Sequence, residues 1–131
     1  MLKIMSAFIA FAVLAACEDN SFGEHMSTVS WLPSTASDIS YSHNRGWRAY
    51  EFSITESDFR NWAAADYSLS EVTSPVKVLR YCAIRDGFHA PGSSIVVIDG
   101  LHSQEISGGG SGYDLIYDRS GQRAYYHYQA N

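Results

Sequence analysis

The sequence is short of cysteine, of basic runs and of long apolar stretches, and each shortage closes off a class of protein. Only two Cys occur among 131 residues. A disulfide scaffold needs cysteine pairs, and a structural zinc centre needs several Cys or His at closed spacing. The five His, at positions 25, 43, 89, 102 and 127, have no such spacing. No metal and no cofactor are expected. Nine Lys and Arg stand against fourteen Asp and Glu, for a formal charge of −5. Nucleic-acid binding leans on clustered Lys and Arg, so no nucleic-acid partner is expected. Nor is there a basic run that would dock on anionic lipid. No apolar run reaches the roughly 20 residues that a membrane-spanning helix requires, and no internal repeat is present.

What the chain does have begins at its N-terminus. Lys3 is followed by Ile4 to Ala16, apolar apart from Ser6. That length and charge fit a secretory signal rather than a membrane span. The run closes on Leu14-Ala15-Ala16-Cys17, which resembles the lipobox of bacterial lipoproteins. The resemblance implies a diacylglycerol on the Cys17 thiol, cleavage just before it, and often an acylated new amine. Two or more acyl chains anchor a protein stably where one holds it marginally. The expected organisation is a signal peptide at residues 1–16, a flexible tether at 17–30 and one domain at 31–131.

Glu18, not Asp, follows Cys17. By analogy with enteric lipoproteins this favours the periplasmic face of the outer membrane over the inner membrane. Removal of Lys3 with the signal leaves the mature chain one unit more acidic. With Cys17 lipidated, Cys82 has no partner within the chain and reads as a buried, inert thiol.

The mature part reads as α+β: an antiparallel sheet of five or six strands with one main helix on one face. Ile39 to His43 and Trp47 to Ile54 alternate in character about Asn44-Arg45-Gly46, a hairpin pattern. Tyr50, Phe52 and Ile54 share one face, and Glu51 and Ser53 the other. Thr55-Glu56-Ser57-Asp58 is a helix start, with a capping hydroxyl and two acids at the positive end of the dipole. Phe59, Trp62 and Ala63 give the helix an apolar stripe running to about Asp66. Val76 to Ile84 is a long strand candidate, and Ile95 to Ile98 a short one. Leu101 to Ile106 is ambiguous. Gly108 to Gly112 is a loop that lacks the lysine and helix start of a phosphate-binding loop.

Tyr113 to Tyr117 and Gln122 to Tyr128 form a closing hairpin with two possible registers. A two-residue loop at Ser120-Gly121 pairs Tyr113 with Tyr128, Leu115 with Tyr126 and Tyr117 with Ala124, all on one apolar face. A three-residue loop with a Gly121 bulge has the better turn chemistry. Face separation favours the first, since one buried large side chain is worth about 1.5–3 kcal/mol. The domain also resembles small bacterial domains with a Leu-Pro start, a Glu-x-Asp-Phe helix start and a closing Tyr-Asp-Arg…Arg-Ala-Tyr-Tyr strand. Leu32-Pro33, Glu56 to Phe59, Tyr117 to Arg119 and Arg123 to Tyr126 carry that resemblance, which implies no activity.

Candidate chemistry is sparse. Asp114 opposite His127 offers a carboxylate–imidazole pair, the orienting half of a hydrolytic triad. No Ser sits in a Gly-x-Ser-x-Gly elbow beside it. Asp118 and Arg123 offer a salt bridge, and Arg119 with Arg123 a clamp for an anion. Nine Tyr and three Trp are many for this length. Tyr41, Trp47, Tyr125 and His127 offer a surface patch for a protein or a glycan. The expectation is a lipid-anchored, non-enzymatic binding module of the envelope, taking a protein or cell-wall partner. The alternative is a small periplasmic hydrolase using His127 and Asp114.

Overall fold

A computed structural model describes residues 21–83 and 93–130. The signal segment, Cys17 and the Asp86 to Gly92 turn and loop lie outside the described residues. Ten elements follow in order: β1 (Ser21–Met26), β2 (Ser37–Asn44), β3 (Trp47–Ser53), α1 (Glu56–Ala63), β4 (Ser70–Glu71), β5 (Val76–Arg80), β6 (Ser93–Val97), β7 (Gly100–Ile106), β8 (Gly112–Asp118) and β9 (Arg123–Gln129). Seven strands make one antiparallel sheet in the order β1-β2-β3-β9-β8-β7-β4, and β5 pairs with β6 in a second, two-stranded sheet. The α+β architecture is as expected, with more strands.

Three differences have physical causes. The stretch read as a tether supplies edge strand β1, paired with β2 from Ser21 opposite His43 to Met26 opposite Ile39. Backbone pairing needs no apolar side chains, so its polar composition hid it. The long strand from Val76 stops at Arg80, where Tyr81–Ala83 turns as a 3₁₀ segment. The helix ends at Ala63, whose carbonyl accepts from Tyr67 N at 2.9 Å. That turn brings Tyr67 against Tyr113, with ring centres 4.8 Å apart.

Both hairpins form in the expected registers, the first with its expected turn and the second with a longer one. Asn44 faces Trp47 across Arg45-Gly46, with Gly46 at φ +84, a left-handed turn position that suits glycine. In the closing hairpin Tyr113 faces Tyr128, Leu115 faces Tyr126 and Tyr117 faces Ala124. This is the face-separating register. Its turn is four residues, 119–122, and Gln122 takes the left-handed position at φ +50. Asp118 Oδ1 steadies the turn by accepting from Ser120 N at 3.1 Å and Ser120 Oγ at 2.8 Å.

The main core lies between α1 and the sheet. Phe52, Phe59, Leu115 and Ala124 are sealed from solvent there. Phe59 stacks on Tyr117 at 4.9 Å, and the Tyr117 hydroxyl donates to Ile54 O at 2.8 Å. Thr55 caps the helix, its Oγ1 accepting from Asp58 N at 3.2 Å. Gly100 lets β7 approach β8, because a Cβ there would lie 1.8 Å from Tyr117 O. The opposite face of the sheet is covered in part by β5–β6, where Val78 and Val97 pack on Ile116.

Arg119 ties the closing turn to α1, to β4 and to the β6–β7 turn. It donates to Glu56 of α1 at 2.5 Å and to Glu71 of β4 at 3.1 Å, and it also pairs with Asp99. Hydrogen bonds from Arg119, then from Arg60, hold the Glu56 carboxyl at about 2, below its ordinary 4.5. The unfolded chain takes up this proton near pH 4.5 and the folded chain only near pH 2. The stabilisation is therefore complete above about pH 4.5 and lost as pH falls towards 2. Glu56→Gln should lower Tm slightly at neutral pH, as befits a solvent-screened pair, and flatten the acid decline measured by circular dichroism. An acid decline parallel to that of the unsubstituted protein would contradict this account.

Candidate functional site

The sheet face opposite α1 carries the candidate site. Strand alternation sends Trp47, Ala49 and Glu51 of β3, Tyr125 and His127 of β9, and Asp114 and Ile116 of β8 to this face. The β5–β6 sheet covers only part of it. A recess of about 260 Å³ remains between β5 and the main sheet. Its floor includes Ala49, Glu51, Tyr125, His127 and Gln129. Gln104 and Asp114 stand on one side, and Lys77, Tyr81 and Cys82 on the other. Ligand sites commonly run from about 300 Å³ upward, so the recess suits one small group or one projecting side chain.

An aromatic stack walls the recess. Tyr81 lies flat on His127, with ring centres 4.0 Å apart and planes 14° apart. Trp47 lies beside both, 6.0 Å from Tyr81 and 6.4 Å from His127. Burial pushes the Tyr81 and Tyr125 phenols above their ordinary value, so both stay neutral at physiological pH. Burial likewise raises the Cys82 thiol far above the thiolate range. Its Sγ donates to Ser40 O at 3.5 Å, which makes it an inert core group.

Several pairings differ from those read in the sequence. Asp114 and His127 do face each other across β8 and β9. The Asp114 carboxylate, however, accepts from His102 Nε2 at 2.6 Å, while His127 is engaged by the Tyr81 ring. His102 sits diagonally across from Asp114 on β7, within reach of a long side chain. The missed signal was the glycine loop at 108–112. Read as a hairpin turn, it makes 101–106 a strand and brings these two groups together.

Asp118 and Arg123 also face each other, but Asp118 steadies the turn and Arg123 turns away. Arg123 Nη1 donates to Ser53 Oγ and to Asp38 O, both at 3.0 Å. Arg119 is engaged by Glu56, Glu71 and Asp99. The two guanidiniums therefore serve separate acids and form no common anion clamp. The four-residue aromatic patch divides as well. Tyr41 faces Tyr50 on the α1 side of the sheet, and Trp47 is only 6% exposed. Tyr125 and His127 alone of the four line the recess.

Glu51 is the residue that sequence reasoning most undervalued. It was placed on the polar face, and it is 2% exposed. Its Oε1 accepts from Arg80 Nη2 at 2.8 Å and Nε at 3.1 Å, and Arg123 Nη2 stands 3.9 Å away. The second sheet layer delivers Arg80 onto a position that a single-layer reading leaves in water.

Comparison of the chain with protein families, with curated protein sequences and with solved structures gives no match. Among the described residues no group of three or more His, Cys, Asp and Glu is placed to hold a metal ion. Among them also, no helix is long and apolar enough to cross a membrane.

Removing one member of a buried ion pair strands the other. Arg80→Leu should therefore cost up to about 3 kcal/mol in urea unfolding. The double variant Glu51→Leu/Arg80→Leu should recover most of that loss, as a buried pair replaced by apolar groups does. A double variant no more stable than Arg80→Leu would contradict the assignment.

Proposed function

We propose that this chain is a membrane-anchored envelope lipoprotein whose domain is a non-enzymatic binding module for a protein or cell-wall partner. The lipid sits on Cys17, and the location is the periplasmic face of the outer membrane. Support for the anchor is the apolar run that closes on Leu14-Ala15-Ala16-Cys17. The observation that carries the binding reading is the recess beside β5. It combines a wall of stacked rings with the amides of Gln104 and Gln129 and the carboxylate of Asp114. Rings supply apolar area at little entropic cost, and fixed amides and carboxylates orient a polar partner.

The hydrolase alternative has less behind it. Its acid is bonded to His102 instead of His127, and the thiol in the recess is held protonated. A hydrolytic site needs a nucleophile within reach of its base. The arrangement offers contact surface and hydrogen-bonding groups in place of that pairing.

The test is retention on the detergent-solubilised full-length protein. Envelope proteins and soluble cell-wall fragments are passed over it separately. His127→Ala and Gln129→Ala should each weaken retention of the true partner about tenfold, a 1.4 kcal/mol loss. Asp58→Ala, on the far side of the sheet, should leave it unchanged. Retention indifferent to both recess substitutions, with Tm preserved, would contradict the proposal.

A further inference from the structure

We propose that one end of the main sheet rests on the lipid leaflet that holds the anchor. This rests on the lipoprotein reading and adds an orientation to it. The observation is where the first strand begins. β1 starts at Ser21, four residues beyond Cys17. Four residues span at most about 14 Å when fully extended. The domain is therefore held against the bilayer, not hung from it.

The register defines which end is near. Ser21 faces His43, Asn44 faces Trp47, Trp47 faces Gln129, Gln129 faces Gly112, and Gly112 faces Ile106. The β2–β3 turn and the β7–β8 loop thus share one end with the start of β1. A seven-residue strand carries the sheet about 20 Å further, to the Asp118–Arg123 turn. The tether is too short to let that far end reach the membrane while Ser21 points away.

The two ends differ in chemistry as this orientation requires. Arg45, Arg48 and one acid, Glu105, are exposed at the near end. Phe22 is 51% exposed and Ile106 58% exposed, one at each side of it. Asp38, Glu56, Glu71 and Asp99 gather at the far end with their arginine partners, and Asp118 stands in the turn there. Lying on the β1 edge would press Glu24 and Asp38 against the phosphates. Standing on the near end instead sets two arginines and two apolar side chains, against the single carboxylate of Glu105, at the headgroup region, a balance that suits it. The sequence contains no basic run, and the fold assembles this surface from separate turns.

The experiment uses the lipidated full chain in vesicles of phosphatidylethanolamine and phosphatidylglycerol with nitroxide-labelled headgroups. A fluorophore is placed at Gly108→Cys, where an added Cβ meets nothing within 4 Å, or at the exposed far-end position Ser57→Cys. Quenching should be severalfold stronger at 108 than at 57. It should weaken at 108 when Arg45→Glu and Arg48→Glu are added, with the protein still membrane-bound. Equal quenching at both positions, or stronger quenching at 57, in an anchored protein overturns the orientation alone. A chain recovered in the soluble fraction with a bare Cys17 thiol overturns the anchoring and the orientation together.

Discussion

The pairing of β8 with β9 is the constraint on which the other features depend. With Asp118 opposite Arg123, every second residue of both strands is committed to one layer. Tyr113, Leu115, Tyr117, Ala124, Tyr126 and Tyr128 join the core on the α1 side, while Asp114, Ile116, Tyr125 and His127 meet the second sheet and the recess. A slip of one residue would exchange those sets. It would bury Asp114 beneath the helix and expose Leu115 and Tyr126. The turn accepts Gln122 in a left-handed conformation to keep this register. Local turn preference yields because several large side chains gain burial at once.

The second layer then decides what the far face can be. A sheet covered on one side leaves its other face to water. Here β5–β6 closes part of that face over Val78, Val97 and Ile116, and brings Arg80 to the buried Glu51. The recess forms where that cover is incomplete. The same packing that pairs Glu51 with Arg80 thus brings aromatic rings and amides together around the recess. Protein and site are continuous: Tyr81, which follows β5 directly, is both the end of the second layer and a wall of the recess.

Much of this was legible in local patterns. The Thr55 cap, the Asn44-Arg45-Gly46 turn and the face-separating register each depend on residues near one another in sequence, where propensity and burial agree. What escaped was decided at long range. Nothing near Glu51 announces Arg80, twenty-nine positions away. Nothing in Ser21 to Met26 announces a strand, because its partner β2 supplies the apolar face. Asp114 was read with the His on the neighbouring strand in sequence, while β7 on its other side brought His102. Composition shows the aromatic excess and not which layer each ring joins. Most of the rings pack about α1, as Trp31, Tyr50 and Tyr126 do with centres 4.8–4.9 Å apart from Trp31.

The proposed function joins two separable parts: a lipid that would fix the domain at a surface, and a small recess that would make contact there. The brevity of the link between them matters, since a domain held within a few residues of its anchor presents only some of its faces. The anchor is the premise of that picture. Its most direct measurement is the intact mass and N-terminal peptide of the protein isolated from its native membrane. The account predicts a chain beginning at Cys17 and carrying acyl mass on that residue. A chain still beginning at Met1, or an unmodified Cys17, would contradict it.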